Sequence, residues 1–365
     1  MHDPALIAAD ADTFRQTIKQ GLPYRPLYVK LKLVWDCNLR CGMCLHWRER
    51  SDPPLPTTAW SALIDELAQL GCRKLHLSGG EPTLNRALAL LIARATEQGI
   101  RVTMTTNAVT LTPKCAVRLV AAGLRRANVS LDSPDPVIHD QQRGVAGSWR
   151  KAVAGFRALH DCLPPGRLRI NTVVTALNYA TLAELPAWAA KLGAAHLNLI
   201  PLDVHTPELG AMTTAQVADF NTRIAPILAQ DGRRLGLLKS VADAYPFGRS
   251  VAEYIASAQG HYARGYYDQH RCYAPWAHAL IDHAGRVSVC CMTPRQPTLG
   301  DLRQQSFTEI WGGAAYTALR RATSQPLFPA CRQCDMFLSQ NRCLDGLMAD
   351  SVLGRWLGQW RCRFG

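Results

Sequence analysis

Cys37, Cys41 and Cys44 put three thiols within eight residues, in the run WDCNLRCGMC. Three thiolates at this spacing suit a 4Fe–4S cube, because three protein ligands on four irons leave one iron open to a ligand that is not protein. Zinc is the competing reading. A structural zinc wants four closed ligands, and the nearest extra donor is His46. A second group, Cys272, Cys290, Cys291, Cys331, Cys334 and Cys343, lies towards the C-terminus, so the two groups take nine of the thirteen cysteines. In a reducing compartment, clustered cysteines bind metal or do catalysis more often than they form disulfides. Cys72, Cys115, Cys162 and Cys362 stand apart and read as small buried apolar residues, although Cys362 is close to the second group.

The rest of the composition bounds the class. The chain has 365 residues, 48% hydrophobic and 19% charged, which suits one large domain with one small one. Lys and Arg number 41 against 28 Asp and Glu, a formal charge of +13. Such an excess favours an acidic peptide, a phosphorylated small molecule, nucleic acid or an acidic electron donor. The basic residues are scattered in pairs such as Arg125–Arg126, Arg233–Arg234 and Arg320–Arg321. With no long basic run and no aromatic–basic RNA motif, nucleic acid is set aside. The first 26 residues lack the apolar core of a signal peptide, and no apolar run reaches the length of a membrane span. The expectation is a cytoplasmic protein that meets no membrane.

The elements that must position these cysteines are legible in the hydrophobic pattern. YVKLKLVW, residues 28–35, alternates: Val29, Leu31, Leu33 and Trp35 face one side, Lys30 and Lys32 the other, as in a strand. A helix follows from about Thr58 to Gly71, with Leu63, Leu67 and Leu70 as its stripe. KLHLSGG, IRVTMTT, RRANVSLD, RLRINTVVT and AHLNLIP repeat the strand signal, each followed by a helix-like segment. Six such units predict a parallel sheet in a partial (β/α)6 TIM-like barrel, an α/β fold whose chemistry sits at the C-terminal ends of the strands. Cys37, Gly79–Pro82, Asn107, Asp132, Asn171 and Pro201 all fall at or near those ends. Residues 213–263 look helical and connective. From about Arg271 cysteine, glycine and proline become frequent, as in a small metal-stapled domain. The expected division is an extension over 1–27, a barrel over 28–235, a helical connector over 236–270 and a cysteine-rich domain over 271–365.

With these residues in view, the chain resembles the radical S-adenosylmethionine (radical SAM) superfamily over about Tyr28 to Leu202. Cys37-x3-Cys41-x2-Cys44 is similar to its cluster motif. Gly79-Gly80-Glu81-Pro82 resembles the segment that holds the SAM amino group, and Ser130-Leu131-Asp132 the segment touching the ribose. Thr105-Thr106-Asn107 matches the end of strand three, and Leu199-Ile200-Pro201 the adenine-contacting strand six. HDQQRG, with Arg143, resembles a loop of the SPASM branch. In one departure, Met43 stands before the last cluster cysteine where an aromatic residue is common. The resemblance implies SAM bound to the open iron, reductive cleavage to a 5′-deoxyadenosyl radical, hydrogen abstraction from substrate, and an electron donor of the flavodoxin or ferredoxin type. A glycine pair suits close backbone approach to a ligand, and Glu81 suits a charged hydrogen bond to the ammonium.

The second group is similar to a SPASM or shorter twitch domain. Cys272, Gly285 and Cys290 open it, and Leu299–Leu302, Glu309–Trp311 and Cys331-x2-Cys334 follow in order. The resemblance implies one auxiliary 4Fe–4S cluster on Cys272, Cys290, Cys331 and Cys334, with Cys291 as a substitute for Cys290. Spacing alone does not separate zinc from iron–sulfur at a four-cysteine site. The further SPASM cysteines would be Cys343 and Cys362, at the wrong gaps for a second auxiliary cluster. Two activities then compete. One is oxidation of a small sugar- or aminocyclitol-like substrate, with the auxiliary cluster accepting its electron. The alternative is maturation of a ribosomal peptide by cross-linking or epimerisation. Only about 27 residues precede the first strand, short of a peptide-recognition domain, so the reading favours the small molecule. A non-catalytic electron carrier has no use for the SAM motifs. By position alone, Asn171, His205 and Trp276 are further pocket candidates.

Overall fold

The computed structural model describes residues 4–44, 47–48, 52–202, 210–292, 298–335 and 337–349. His205 and Cys362 lie outside them. Six parallel strands, β1 (Tyr28–Lys32), β2 (Lys74–Ser78), β3 (Arg101–Thr106), β4 (Leu124–Ser130), β5 (Leu168–Val174) and β6 (Leu197–Pro201), pair in sequence order. The alternation read in β1 holds. Val29 and Leu31 are fully buried beneath the helices, while Lys30 and Lys32 line the concave side.

The covering helices begin after the two N-terminal ones, α1 (Pro4–Ala8) and α2 (Ala11–Gln20). They are α3 (Thr57–Gln69), α4 (Leu88–Glu97), α5 (Pro113–Ala121), α6 (Pro136–Arg143), α7 (Ser148–His160) and α8 (Leu185–Lys191). On α3, Trp60, Leu63, Ile64 and Leu67 are all buried at helical spacing against the sheet. Each such side chain stabilises the fold by about 1.5–3 kcal/mol relative to exposure. Residues 213–263 contain α9 (Thr214–Asp219), α10 (Ala225–Arg234) and α11 (Val251–Ala258), as the helical pattern there predicts.

One segment expected as a loop is a helix. HDQQRG forms the C-terminal half of α6. Asp135 caps it by accepting from the Val137 and Ile138 N–H groups, Pro136 occupies the first turn, and Gly144 ends it with φ 68°. Asp-Pro at a helix start is a strong signal.

The sheet also continues past the barrel. β7 (His278–Ile281) pairs parallel with β1, and β8 (Arg286–Ser288) and β9 (Gly300–Asp301) follow antiparallel, making nine strands in the order β6-β5-β4-β3-β2-β1-β7-β8-β9. The cysteine-rich domain is thus sewn to the barrel by main-chain hydrogen bonds. The N-terminal extension closes the same junction. Ile7, Phe14 and Ile18 join Tyr24, Tyr273, Trp276, Leu344 and Leu347 in a second core. Trp276, expected near a pocket, is buried there. Trp311 donates its Nε1–H to the Tyr24 carbonyl at 2.7 Å, and Arg320 stacks 4.6 Å over the Trp311 ring.

Candidate active site

The first cysteine loop leaves β1 and is held on both sides by backbone. Gly80 N–H donates to the Val34 carbonyl and Glu81 N–H to that of Asp36, both at 2.9 Å. From the other side, Arg40 N–H donates to the Arg143 carbonyl and Gly42 N–H to that of Gln142. These approaches explain the glycines. A Cβ on Gly79 would lie 2.3 Å from the Val34 carbonyl oxygen, and one on Gly80 2.1 Å from that of Asp36. The pair clears a path for the cluster loop. Gly79 also borders the cavity inside the barrel.

Within this frame Cys41 is buried, while Cys37 and Cys44 are half-buried. Burial pushes the Cys37 thiol up to about 11. Burial raises Cys41 too, and the Arg143 guanidinium opposes that rise. Two donors face the sulfurs. Asn107 Nδ2 lies 3.8 Å from Cys37 Sγ and 2.7 Å from Asn38 Oδ1, and Arg143 Nη1 lies 3.9 Å from Cys41 Sγ. Three thiols on one loop, with N–H groups aimed at two sulfurs, fit a cluster ligated by Cys37, Cys41 and Cys44. Thiolate charge and hydrogen bonds to sulfur both suit bound iron.

Glu81 is 1% exposed. Its Oε1 accepts from Thr83 N–H, Thr83 Oγ1 and Thr106 Oγ1, and its Oε2 from Asn107 N–H at 2.7 Å. It caps the short turn Pro82–Leu84 and ties the β2 loop to the end of β3. Asp132 is likewise enclosed. Arg143 Nη2 donates to its Oδ1 at 2.8 Å, and Val173 N–H donates to the same oxygen at 3.0 Å. Arg143 Nε approaches Oδ2 to 2.6 Å off the N–H axis, an ionic contact rather than a linear hydrogen bond. Glu81, Asp132 and Arg143 therefore form a braced wall, whereas Gly79 and Ile200 border open space. Sequence reasoning missed Asn38 and Asn178. The Asn178 amide donates to the Asp132 and Val173 carbonyls.

The open space is a cavity of about 710 Å³ inside the barrel. A hydrogen-bonded ladder runs along it. Thr103 Oγ1 donates to the Leu75 carbonyl, so His76 Nδ1–H must donate to Thr103 Oγ1. His76 Nε2 then accepts from Thr105 Oγ1, which accepts in turn from Asn128 Nδ2. Burial, reinforced by Lys30 and Lys74, holds His76 neutral by lowering its pKa well below the usual histidine value. Asn171, named by position, lines the cavity and accepts from Asn198 at 2.7 Å.

In the cysteine-rich domain, Cys290, Cys331 and Cys334 are buried and Cys272 half-buried. Burial raises the Cys290 thiol, and Cys291, Cys272 and Cys334 raise it further. Burial pushes Cys272 up to about 12, with Cys331 adding to it. Cys272 thus feels Cys331, Cys290 feels Cys272 and Cys334, and Cys291 acts on both Cys290 and Cys334, so these thiols lie within electrostatic reach of one another. Asn341 Nδ2 donates to Tyr267 Oη at 2.7 Å and faces Cys272 Sγ at 3.7 Å, while the Tyr267 hydroxyl faces Cys334 Sγ at 4.0 Å. Cys343 sits in the second core and is disulfide-bonded.

A parallel half-barrel with three thiols at its C-terminal rim, and four more in an appended domain, defines an iron–sulfur enzyme class. The family models agree: Radical SAM superfamily matches residues 36–192, and the SPASM iron–sulfur cluster-binding domain matches residues 272–335. An AdoMet-dependent heme synthase of Methanosarcina barkeri is 30% identical over 79% of this chain and 83% of its own length. Mycofactocin maturase MftC of Mycobacterium tuberculosis is 29% identical over 89% of this chain and 78% of its own. Streptococcus suis SuiB bound to precursor peptide SuiA has the same fold, with a TM-score of 0.64, at 17% identity over 92% of this chain and 76% of its own. The chain belongs to the radical SAM superfamily, in its SPASM-bearing branch, and uses SAM and iron–sulfur clusters. No helix among the described residues is long and apolar enough to cross a membrane.

Proposed function

We propose that this enzyme matures a peptide, abstracting a hydrogen atom from a residue laid along the barrel lumen. The observation that carries this reading is the lining of that lumen. Asn128, Asn171 and Asn198, with Thr103, Thr105 and several cations, offer polar groups along its length. A peptide backbone brings a donor and an acceptor at nearly every residue and needs such partners, whereas small-molecule pockets are mostly apolar. The likeness to a mycofactocin maturase supports the same reading, and SuiB holds a precursor peptide on this fold. The preference for a sugar-like substrate is withdrawn. The heme synthase relative keeps a small-molecule product as the second reading.

When bound, the site cluster and SAM supply the radical that takes the hydrogen atom. Cys37, Cys41 and Cys44 hold that cluster. Asn107 and Arg143 orient its sulfurs. Gly79, Gly80, Pro82, Ser130 and Ile200 border SAM, and Glu81 and Asp132 brace its pocket. Cys272, Cys290, Cys331 and Cys334 hold an auxiliary cluster whose four-thiolate shell suits electron transfer. The basic surface suits an acidic flavodoxin- or ferredoxin-type donor.

The test is mass spectrometry of short peptides encoded beside the gene, incubated anaerobically with reconstituted enzyme, SAM and reductant. A peptide lighter by two hydrogens, or carrying solvent deuterium at one α-carbon, is expected. Turnover of a tetrapyrrole with no change in any peptide would sink the reading.

A further inference from the structure

We infer that the floor of the lumen carries a carboxylate-binding site, built from Arg126 and Arg169, that grips an acidic side chain of the substrate. The inference rests on the reading of the lumen as the substrate's place and adds what the substrate must carry.

The placement follows from strand alternation. On β4, Ala127 and Val129 are buried outward, so Arg126 and Asn128 point inward. On β5, Leu168 and Ile170 are buried outward, so Arg169 and Asn171 point inward. Asn128 pairs in register with Arg169, which sets the two guanidinium groups on adjacent strands of one concave face. Neither arginine has an acidic partner among the described residues. Arg169 Nε is buried with no hydrogen-bond partner. Burial lowers Arg126 to about 10, and the charges it feels, from Arg169, Arg167 and Arg101, are all positive. Lys30 lines the same cavity.

A fold gains nothing from two like charges set side by side and half out of water. Asparagine or threonine fills equivalent inward positions on β3 and β5. An anion arriving with the substrate turns the same arrangement into a strong contact, and the planar guanidinium fork matches a carboxylate in two parallel hydrogen bonds. The register Val173↔Ile200 places Arg169 four residues below the level of Ile200. At about 3.3 Å per residue that is about 13 Å. One substrate therefore spans from the SAM rim to the floor, with its acid about four extended residues from the reacting position.

The experiment uses the reconstituted holoprotein and an N-acetylated glycine-rich peptide carrying one glutamate, with its glutamine counterpart, glutarate and inorganic phosphate as further probes. Binding is read by calorimetry and by thermal unfolding. The glutamate peptide is expected to bind at least about tenfold tighter than the glutamine peptide, and glutarate to compete with it. Arg126→Gln/Arg169→Gln is expected to abolish the difference and, without ligand, to unfold at a higher temperature than wild type. A purely structural pair would lower that temperature. Arg126→Lys/Arg169→Lys keeps charge without the fork and should fall between. Equal binding of the two peptides, or undiminished glutamate binding by the Gln variant, overturns the site. Competition by phosphate but not by glutarate overturns the carboxylate assignment. Arginine-dependent glutarate binding with no peptide binding upholds the site and overturns the peptide reading instead.

Discussion

Replacing Arg143 by Met removes a cation that faces both Cys41 Sγ and the fully buried Asp132. Asp132 would keep one backbone donor, Val173 N–H, on a carboxylate that water does not reach. Breaking a buried pair by removing one partner typically costs about 3–5 kcal/mol. At about 2–4 °C per kcal/mol for a large domain, unfolding should drop by on the order of 10 °C. Asp132→Asn/Arg143→Met removes both charges, so the double variant should recover all but about 1–2 kcal/mol. The assay is anaerobic thermal unfolding of reconstituted protein, paired with a potentiometric titration of the site cluster followed by electron paramagnetic resonance. Loss of the positive N–H donor at the Cys41 sulfur should shift the cluster potential negative. A single variant as stable as wild type, a double as unstable as the single, or an unmoved potential would refute the role of Arg143 as a bridge between cluster and brace.

Glu81→Ala should lower stability by about 2–4 kcal/mol, because Thr83 N–H and Asn107 N–H lose their acceptor; a variant of normal stability with tenfold weaker SAM binding would make Glu81 a ligand contact. His139 accepts from Asp132 N–H, and burial lowers its pKa to about 4. The unfolded chain binds the proton first, so stability should be full above about pH 6.5 and fall by up to about 3 kcal/mol as pH drops towards 4; urea titrations between pH 7 and 5 should show a slope that His139→Gln flattens. Cys331→Ala/Cys334→Ala should retain about four of about eight irons and still cleave SAM with a chemical reductant. Its ratio of product to 5′-deoxyadenosine should collapse, and an unchanged ratio would leave the second cluster as a staple only.

The barrel was readable because one physical signal repeated. Alternation in β1 through β6 and glycine stops after the helices both follow from burial on a single face. The grouped cysteines stood out as candidate ligands because thiols so close together have few other uses. The brace was not, because Glu81 and Asp132 look alike whether they meet a ligand or a neighbouring backbone. Only the positions of Thr83, Thr106 and Arg143 distinguish the two. Arg126 and Arg169 were visible as scattered basic residues. Their inward phase was already set by the Ala127 and Leu168 positions beside them, and that signal went unread. The pairing of β7 with β1 had no local signature, since His278–Ile281 is short and its partner lies 250 residues away.

That distance shapes how the chain is born. β1 leaves the ribosome early, with one edge bonded to β2 and the other bare. Tyr28 waits about 250 residues for His278. At 5–20 residues per second the wait is about 12–50 s. Through it, a strand edge with main-chain donors and acceptors unfilled is open to any other strand in the cell. The same edge reopens in any truncation that ends before His278. A barrel expressed alone is therefore expected to aggregate, whatever iron it is given, and delivery of both clusters belongs after release of the full-length chain.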